Sequence, residues 1–424
     1  MLYVNDQFFD EAHFVAASRR FATLPALAGC RRYRYAVCLP ATADWLALFF
    51  YLREAGGSVL PLHPELPREA ARRLARRAGC HRLFYHDLEA EVLEGGITPS
   101  PGGELLQMSS GTTGEPKCIA RRWSSIDAEL DSYVRAFREP EAMTAVIACP
   151  VTHSYGLIAG LLVALRRGQV PVVVDNLNPK YLLRRLREVP KPLLYSSPAM
   201  LNTLCRLLPR GERLHAVMTS GTVLPGPWFQ ALKAGTEHLF QQYGCSEAGC
   251  IAINPAVGAA TDIGVVLPHL TLVGAPGPAA PAELVFEGED GLIHTRDLGY
   301  RRADGMLVFV ARLDDTINVA GLNVYPQEVE DVVMAMDGIR DAVVLRKADP
   351  FAGERVCLLF SADRAVAPAA LRDWCLDRLG RHQIPAEMVQ VRDIARQANG
   401  KISRREVAAR LEAGELALTE TGEG

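Results

Sequence analysis

Short apolar runs alternate with helix-period stretches along the first hundred residues. YRYAVCLP (33–40) reads as a strand, DWLALFFYLREAG (44–56) as a helix stopped by glycine, and SVLPLHP (58–64) as a second strand. A strand–helix–strand rhythm implies α/β layers around a largely parallel sheet. It returns in TAVIACP (144–150), VPVVVD (170–175) and PLLYSSP (192–198), with helical segments between. From about residue 281 the pattern changes. AELVFEG, GLIHTRD and GMLVFVARLDD are short β-rich runs separated by Gly/Asp turns, so this part reads as antiparallel hairpins. After Asp314, PQEVEDVVMAMDG predicts a helix with Pro326 in its first turn and Val329, Val332, Val333 and Met336 on one face. The strands DAVVLRKAD and ERVCLLFSAD and the helix LRDWCLDRLG follow, making the tail a small α+β domain.

The 424 residues suffice for two or three domains, and 49% hydrophobic content supports a sizeable core. A net charge of -3 gives no electrostatic case for nucleic acid or a membrane surface as partner. The arginines at 72, 73, 76 and 77 have helical spacing and read as a solvated face. The N-terminal segment lacks the pattern of a signal peptide, and the apolar run Tyr155 to Leu165 is too short to span a bilayer. Ten scattered cysteines with no C-x-x-C pair suggest reduced, mostly buried thiols and a cytoplasmic location. Close Cys/His spacings suited to a zinc cluster are absent.

The first chemical signal is SSGTTGEPK, residues 109–117. Small hydroxyl and glycine residues let backbone N–H groups approach anionic oxygens, and the lysine supplies a mobile positive charge. The spacing is not that of a Walker A loop. Alone, the segment reads equally well as a hairpin turn. Downstream, in order, come TSGTVLP (219–225), YGCSE (243–247), TRDLGY (295–300), ARLDDTINVAGLNVYPQEVE (311–330) and NGKISR (399–404).

These motifs, in this order, resemble the acyl-adenylate-forming superfamily of acyl- and aryl-CoA synthetases, acyl-carrier-protein synthetases, adenylation domains and luciferases. The resemblance runs from about residue 100 to the end. It implies a large N-terminal layered α/β domain with an antiparallel sub-barrel (1–313) and a small mobile C-terminal α+β domain (314–424), joined at a hinge, Asp314. It also implies an ATP-dependent acid–thiol ligase, in which a carboxylic acid is adenylated and the acyl group passes to coenzyme A or to carrier-protein phosphopantetheine.

The resemblance assigns roles. Ser109, Ser110, Gly111, Thr112, Thr113, Gly114 and Lys117 would cradle the ATP phosphates. Tyr243 would stack on adenine, with Gly221 and Thr222 beneath the ring and Gly244 in the same turn. Ser246 would bond the α-phosphate, and Glu247 would bind Mg2+, a hard cation suited to carboxylate and phosphate oxygens. Asp297 would accept from the ribose hydroxyls and Arg312 would donate to the ribose, with an ion pair to Asp314 or Asp315 as the plainer reading of Arg312. Lys401 would bridge the attacking carboxylate and the α-phosphate, where transition-state charge accumulates. His153, Gly156 and Cys245 would line the acyl pocket, and Gly321 the thiol channel. The chain departs from the family pattern at Arg296 and Ala311, where glycine is usual, and at Asn318 and Asn323. No carrier domain is evident. An amino-acid adenylation module and a non-catalytic nucleotide-binding homologue are the rival readings.

Overall fold

The computed structural model describes residues 1–109, 117–397 and 400–416, leaving aside the side chain of Ser109. The expected α/β rhythm appears as two sheets in the large N-terminal domain. The first runs Ala90–Val92, Arg82–Tyr85, Arg34–Cys38, Ser58–Pro61, Glu104–Ser109, Lys117–Arg122, parallel in the middle and closed by antiparallel edges. The central strand Arg34–Cys38 is buried at every position, which is why Tyr35–Cys38 is a continuous apolar run rather than an alternating one; Arg34 is buried too and pairs with Glu104.

The second sheet has thirteen strands among the described residues. One half is parallel: Leu2–Val4, Val172–Val173, Thr144–Ala148, Pro192–Ser196, Leu214–Thr219 and Thr236–Cys245. The other half is antiparallel from Gly249–Asn254 to Thr271–Leu272, so the antiparallel part begins ahead of the change of pattern expected near residue 281. Between the two sheets lies the main core, with Trp45, Phe49, Phe84, Tyr133 and Phe240 fully or almost fully buried. Each such side chain contributes about 1.5–3 kcal/mol of burial free energy.

The small C-terminal domain pairs Ile339–Asp349 with Gly353–Ala362 along their whole length, and Glu387–Gln390 joins in parallel. Helix Pro326–Met334 covers this sheet and begins at Pro326, where the missing N–H costs nothing. Its buried face carries Val329, Val333 and Met334, with Val332 and Met336 only partly covered, a correction to the expected stripe. Glu330 is buried in the same face and paired with Arg404 (Oε1–Nη1 2.5 Å).

VPVVVD supplies only Val172–Val173 to the sheet. The apolar run from Tyr155 is a buried π-helix, Tyr155–Leu162, continued by the α-helix Val163–Arg166. No helix among the described residues is long and apolar enough to cross a membrane. The ten cysteines are all unbonded. Arg73, Arg76 and Arg77 lie on the solvated face expected of helix Arg68–Arg77, whereas Arg72 is partly buried and pairs with Glu69 and Glu91. Strand pairing does bring three possible metal ligands together, which spacing alone did not show: His215, Glu237 and His238, with His215 Nδ1 2.8 Å from Glu237 Oε2. They lie at the starts of parallel strands, away from the motif-bearing ends.

Candidate active site

The motifs converge because parallel strands deliver their following loops to one edge of the sheet, the place where open α/β sheets bind ligands. TSGTVLP follows strand Leu214–Thr219, and YGCSE closes the neighbouring strand Thr236–Cys245. His153 sits in the loop between strand Thr144–Ala148 and the π-helix. TRDLGY lies within strand Gly291–Arg301, whose partner Leu307–Arg312 places Asp297 opposite Arg312.

The centre of the site is a chain of polar contacts. Tyr243 donates its hydroxyl to Oδ2 of Asp297 at 2.6 Å. Oδ1 of Asp297 lies 3.0 Å from Arg312 Nη1 but accepts no hydrogen bond from any described residue, although it is buried. Burial pushes this carboxyl above its ordinary pKa, while Arg312 and Tyr243 pull it back. Charge-paired with Arg312, this oxygen still has lone-pair capacity for a ligand hydroxyl. Arg312 also faces Asp314 at 3.7 Å, so the ion pair considered for it is present alongside the contact to Asp297.

Lys401 enters this site from the small domain. A Cβ on Gly221 would stand 3.0 Å from Lys401 Cε, and Gly221 has φ +93°, a conformation open to glycine. Gly400, just before the lysine, packs so tightly on Ser197 that a Cβ would lie 2.5 Å from the serine Cβ. Lys401 is exposed by its surface area. Desolvation lowers its pKa and Arg312 adds to the effect, against the opposing pull of Asp297 and Cys245. Three further contacts seat the small domain here. Asp331 accepts from the N–H of Gly226 at 3.2 Å, at the start of helix Gly226–Gly235. Trp228 of that helix joins the small domain's core, and the Arg396 guanidinium lies 5.0 Å from its ring centre.

His153 is partly buried, and burial lowers its pKa to about 4, helped by the nearby His63 and Lys401. It is therefore neutral at neutral pH. Cys245 is close enough to Lys401 to affect its charge, and burial raises its thiol to about 12, so it is a small inert wall rather than a nucleophile. Gly156 packs against the carbonyls of Cys149 and Pro150, where a side chain would collide. Gly244 meets the backbone of Gly249 in the same way. Ser246 and Glu247 occupy the turn after strand Thr236–Cys245, with Glu247 exposed. Thr222, beside Gly221, is exposed too.

Ser109 and Lys117 face each other across an antiparallel pair, so the hairpin reading and the loop reading of SSGTTGEPK are compatible. Ser110, Gly111, Thr112, Thr113 and Gly114 lie outside the described residues. Gly321 sits in the small domain, at φ +89° in the exposed turn between Ile317–Val319 and Leu322–Val324, where its N–H donates to Asn318 Oδ1 at 2.9 Å. Sequence reading missed His63, whose one signal was its place at the end of a strand, and the Asp331 and Trp228 contacts, which join positions about a hundred residues apart.

The AMP-binding enzyme model matches residues 105–291, and the AMP-binding enzyme C-terminal domain matches residues 328–401. The 3,4-dihydroxybenzoate–[aryl-carrier protein] ligase of Bacillus anthracis is 37% identical over 407 residues, 96% of this chain and 98% of the relative. The chain belongs to the AMP-binding enzyme family. A putative long chain fatty acid-CoA ligase of Staphylococcus epidermidis is 27% identical over 73% of this AMP-binding enzyme and 72% of its own length. The o-succinylbenzoate CoA synthetase of Bacillus subtilis, solved with its acyl-adenylate intermediate, superposes with a TM-score of 0.82 at 21% identity, covering 96% of this chain and 94% of that one. The fold of this AMP-binding enzyme is thus that of the acyl-adenylate-forming synthetases, with a large sheet domain followed by a smaller one.

Proposed function

We propose that this enzyme is an ATP-dependent acid–thiol ligase that adenylates a hydroxylated aryl acid and passes the aroyl group to the phosphopantetheine thiol of a carrier protein. The observation that carries the reaction type is the seating of Lys401 against Gly221, beside Asp297 and Arg312. An ammonium there can hold a carboxylate and an α-phosphate together and stabilise the charge that builds between them. Asp297, with its unbonded Oδ1, suits a ribose hydroxyl, and Arg312 can donate to the same sugar. Lys117 and the residues before it would bind the ATP phosphates. Tyr243, Gly221 and Thr222 suit the adenine, and Ser246 the α-phosphate.

Glu247 is an exposed carboxylate at the mouth of the turn, a donor type that fits Mg2+ shared with phosphate oxygens. Bound there, Mg2+ would neutralise phosphate charge. His153, kept neutral, can line the acid's carboxylate without adding a competing cation, and Cys245 can form a small, un-ionised wall of the acyl pocket, with Gly156 packed behind on the carbonyls of Cys149 and Pro150. Carboxylate attack on the α-phosphorus releases pyrophosphate and leaves acyl-AMP. Rotation about Asp314 then withdraws Lys401 and brings the Gly321 turn to the cleft. A thiolate displaces AMP from the mixed anhydride, forming the thioester.

The aryl acid and the carrier-protein acceptor rest on the near full-length likeness to the Bacillus anthracis ligase. Pyrophosphate exchange against hydroxybenzoates, fatty acids and amino acids tests the acid. Exchange supported best by a dihydroxybenzoate agrees with the reading, whereas exchange driven by fatty or amino acids overturns that substrate class. Thioester formation on holo-carrier protein against coenzyme A tests the acceptor.

A further inference from the structure

Arg296 occupies the position where the family pattern has glycine, and its backbone has the conformation glycine favours, φ +61°. An L-residue is strained there. The strand Gly291–Arg301 bulges at this point. Thr295 donates to the carbonyl of Leu284, Asp297 N–H turns back to Thr295 Oγ1, and the Arg296 N–H donates to Glu283 Oε1 at 2.9 Å. The guanidinium is thereby carried away from the strand to the domain junction, where Nη2 donates to Asp314 Oδ1 at 3.0 Å. Asp314 is itself largely covered, and its backbone carbonyl accepts from Arg346 of the small domain at 2.5 Å. The junction residue is held by its carboxylate from one domain and by its carbonyl from the other.

We propose that Arg296 is a positioning residue, a latch that grips Asp314 and biases the two domains toward the orientation with Lys401 in the cleft. The inference rests on the reading of Asp314 as the hinge. Rotation about the N–Cα bond of Asp314 would carry the carboxylate away from Arg296, so the ion pair would break before the thiol step. The side chain of Arg296 is 56% exposed, so the pair sets a bias rather than a lock.

Full-length wild type, Arg296→Gly and Arg296→Lys are compared in two assays: acid-dependent pyrophosphate exchange, and thioester formation from supplied acyl-AMP. Glycine suits the backbone at this position, so Arg296→Gly should fold at least as well as the wild type. Its ratio of thioester formation to exchange should rise about two- to fivefold, the range an exposed ion pair can shift, with KM for ATP unchanged. Arg296→Lys should lie between the two. High salt should raise the wild-type ratio and leave Arg296→Gly unmoved. An unchanged ratio overturns the latch while the ligase reading stands. A raised KM for ATP, with both half-reactions reduced together, overturns it in favour of a nucleotide contact. A wild type inactive in both assays overturns the ligase reading and the latch with it.

Discussion

The hydroxyl of Tyr243 is bonded to one oxygen of Asp297 and leaves the other buried, 3.0 Å from Arg312 and without a hydrogen bond. That arrangement prepares one acceptor for a ligand hydroxyl. Asp297→Asn should keep the fold and weaken pyrophosphate exchange by roughly tenfold or more, as expected when a hydrogen bond to a charged group is lost. Tyr243→Phe should cost less, because Asp297 and Arg312 remain. Equal activity of Asp297→Asn and wild type would remove the ribose assignment.

Gly221→Ala tests the approach of Lys401. Alanine at φ +93° is strained by about 1–2 kcal/mol. Its Cβ would also crowd the lysine Cε at 3.0 Å. Exchange should fall more steeply than the strain alone explains, while thioester formation from supplied acyl-AMP holds. A loss confined to melting temperature, with normal exchange per folded molecule, contradicts the contact.

Much of this fold could be read from the chain, and the reasons are local. Arg34–Cys38 and Thr42–Glu54 follow from an apolar run and an apolar helix, and Pro326 marked its helix start. Elements of two or three residues, such as Leu2–Val4 and Val172–Val173, are too short to carry a period and exist through their neighbours. The site residues could be read because their motifs recur in a family, not because of their periodicity. The contacts that orient them could not be. Asp331 reaching Gly226, and Arg296 reaching Asp314, depend on how separate elements pack, and no spacing in the sequence encodes that.

Acid should destabilise the protein in a defined window. Burial lowers His153 and His269 from an ordinary 6.5 to about 4. Between those values the unfolded chain binds protons that the native chain refuses. Their contribution to stability is therefore complete above about pH 6.5 and is lost as pH falls toward 4. Melting temperature should decline through that window, and His269→Gln should flatten the slope. An unchanged slope in that variant contradicts the assignment.

Arg404 follows Lys401 by three residues and pairs with the buried Glu330 and with Asp315. Arg404→Met leaves Glu330 buried without its cation and should cost about 3–5 kcal/mol of stability in denaturant unfolding. Adding Glu330→Leu should restore most of it. A single variant as stable as wild type would show that the pair does not anchor the lysine-bearing segment.

On the proposed alternation of the two domains, Lys401 is needed for one step only. In Lys401→Ala, acid-dependent pyrophosphate exchange should fall by at least about a hundredfold, in line with removing one charge-stabilising donor. The same variant, given chemically made acyl-AMP and its thiol acceptor, should form thioester at close to the wild-type rate. Loss of both half-reactions to the same extent would contradict the account, making Lys401 a structural residue.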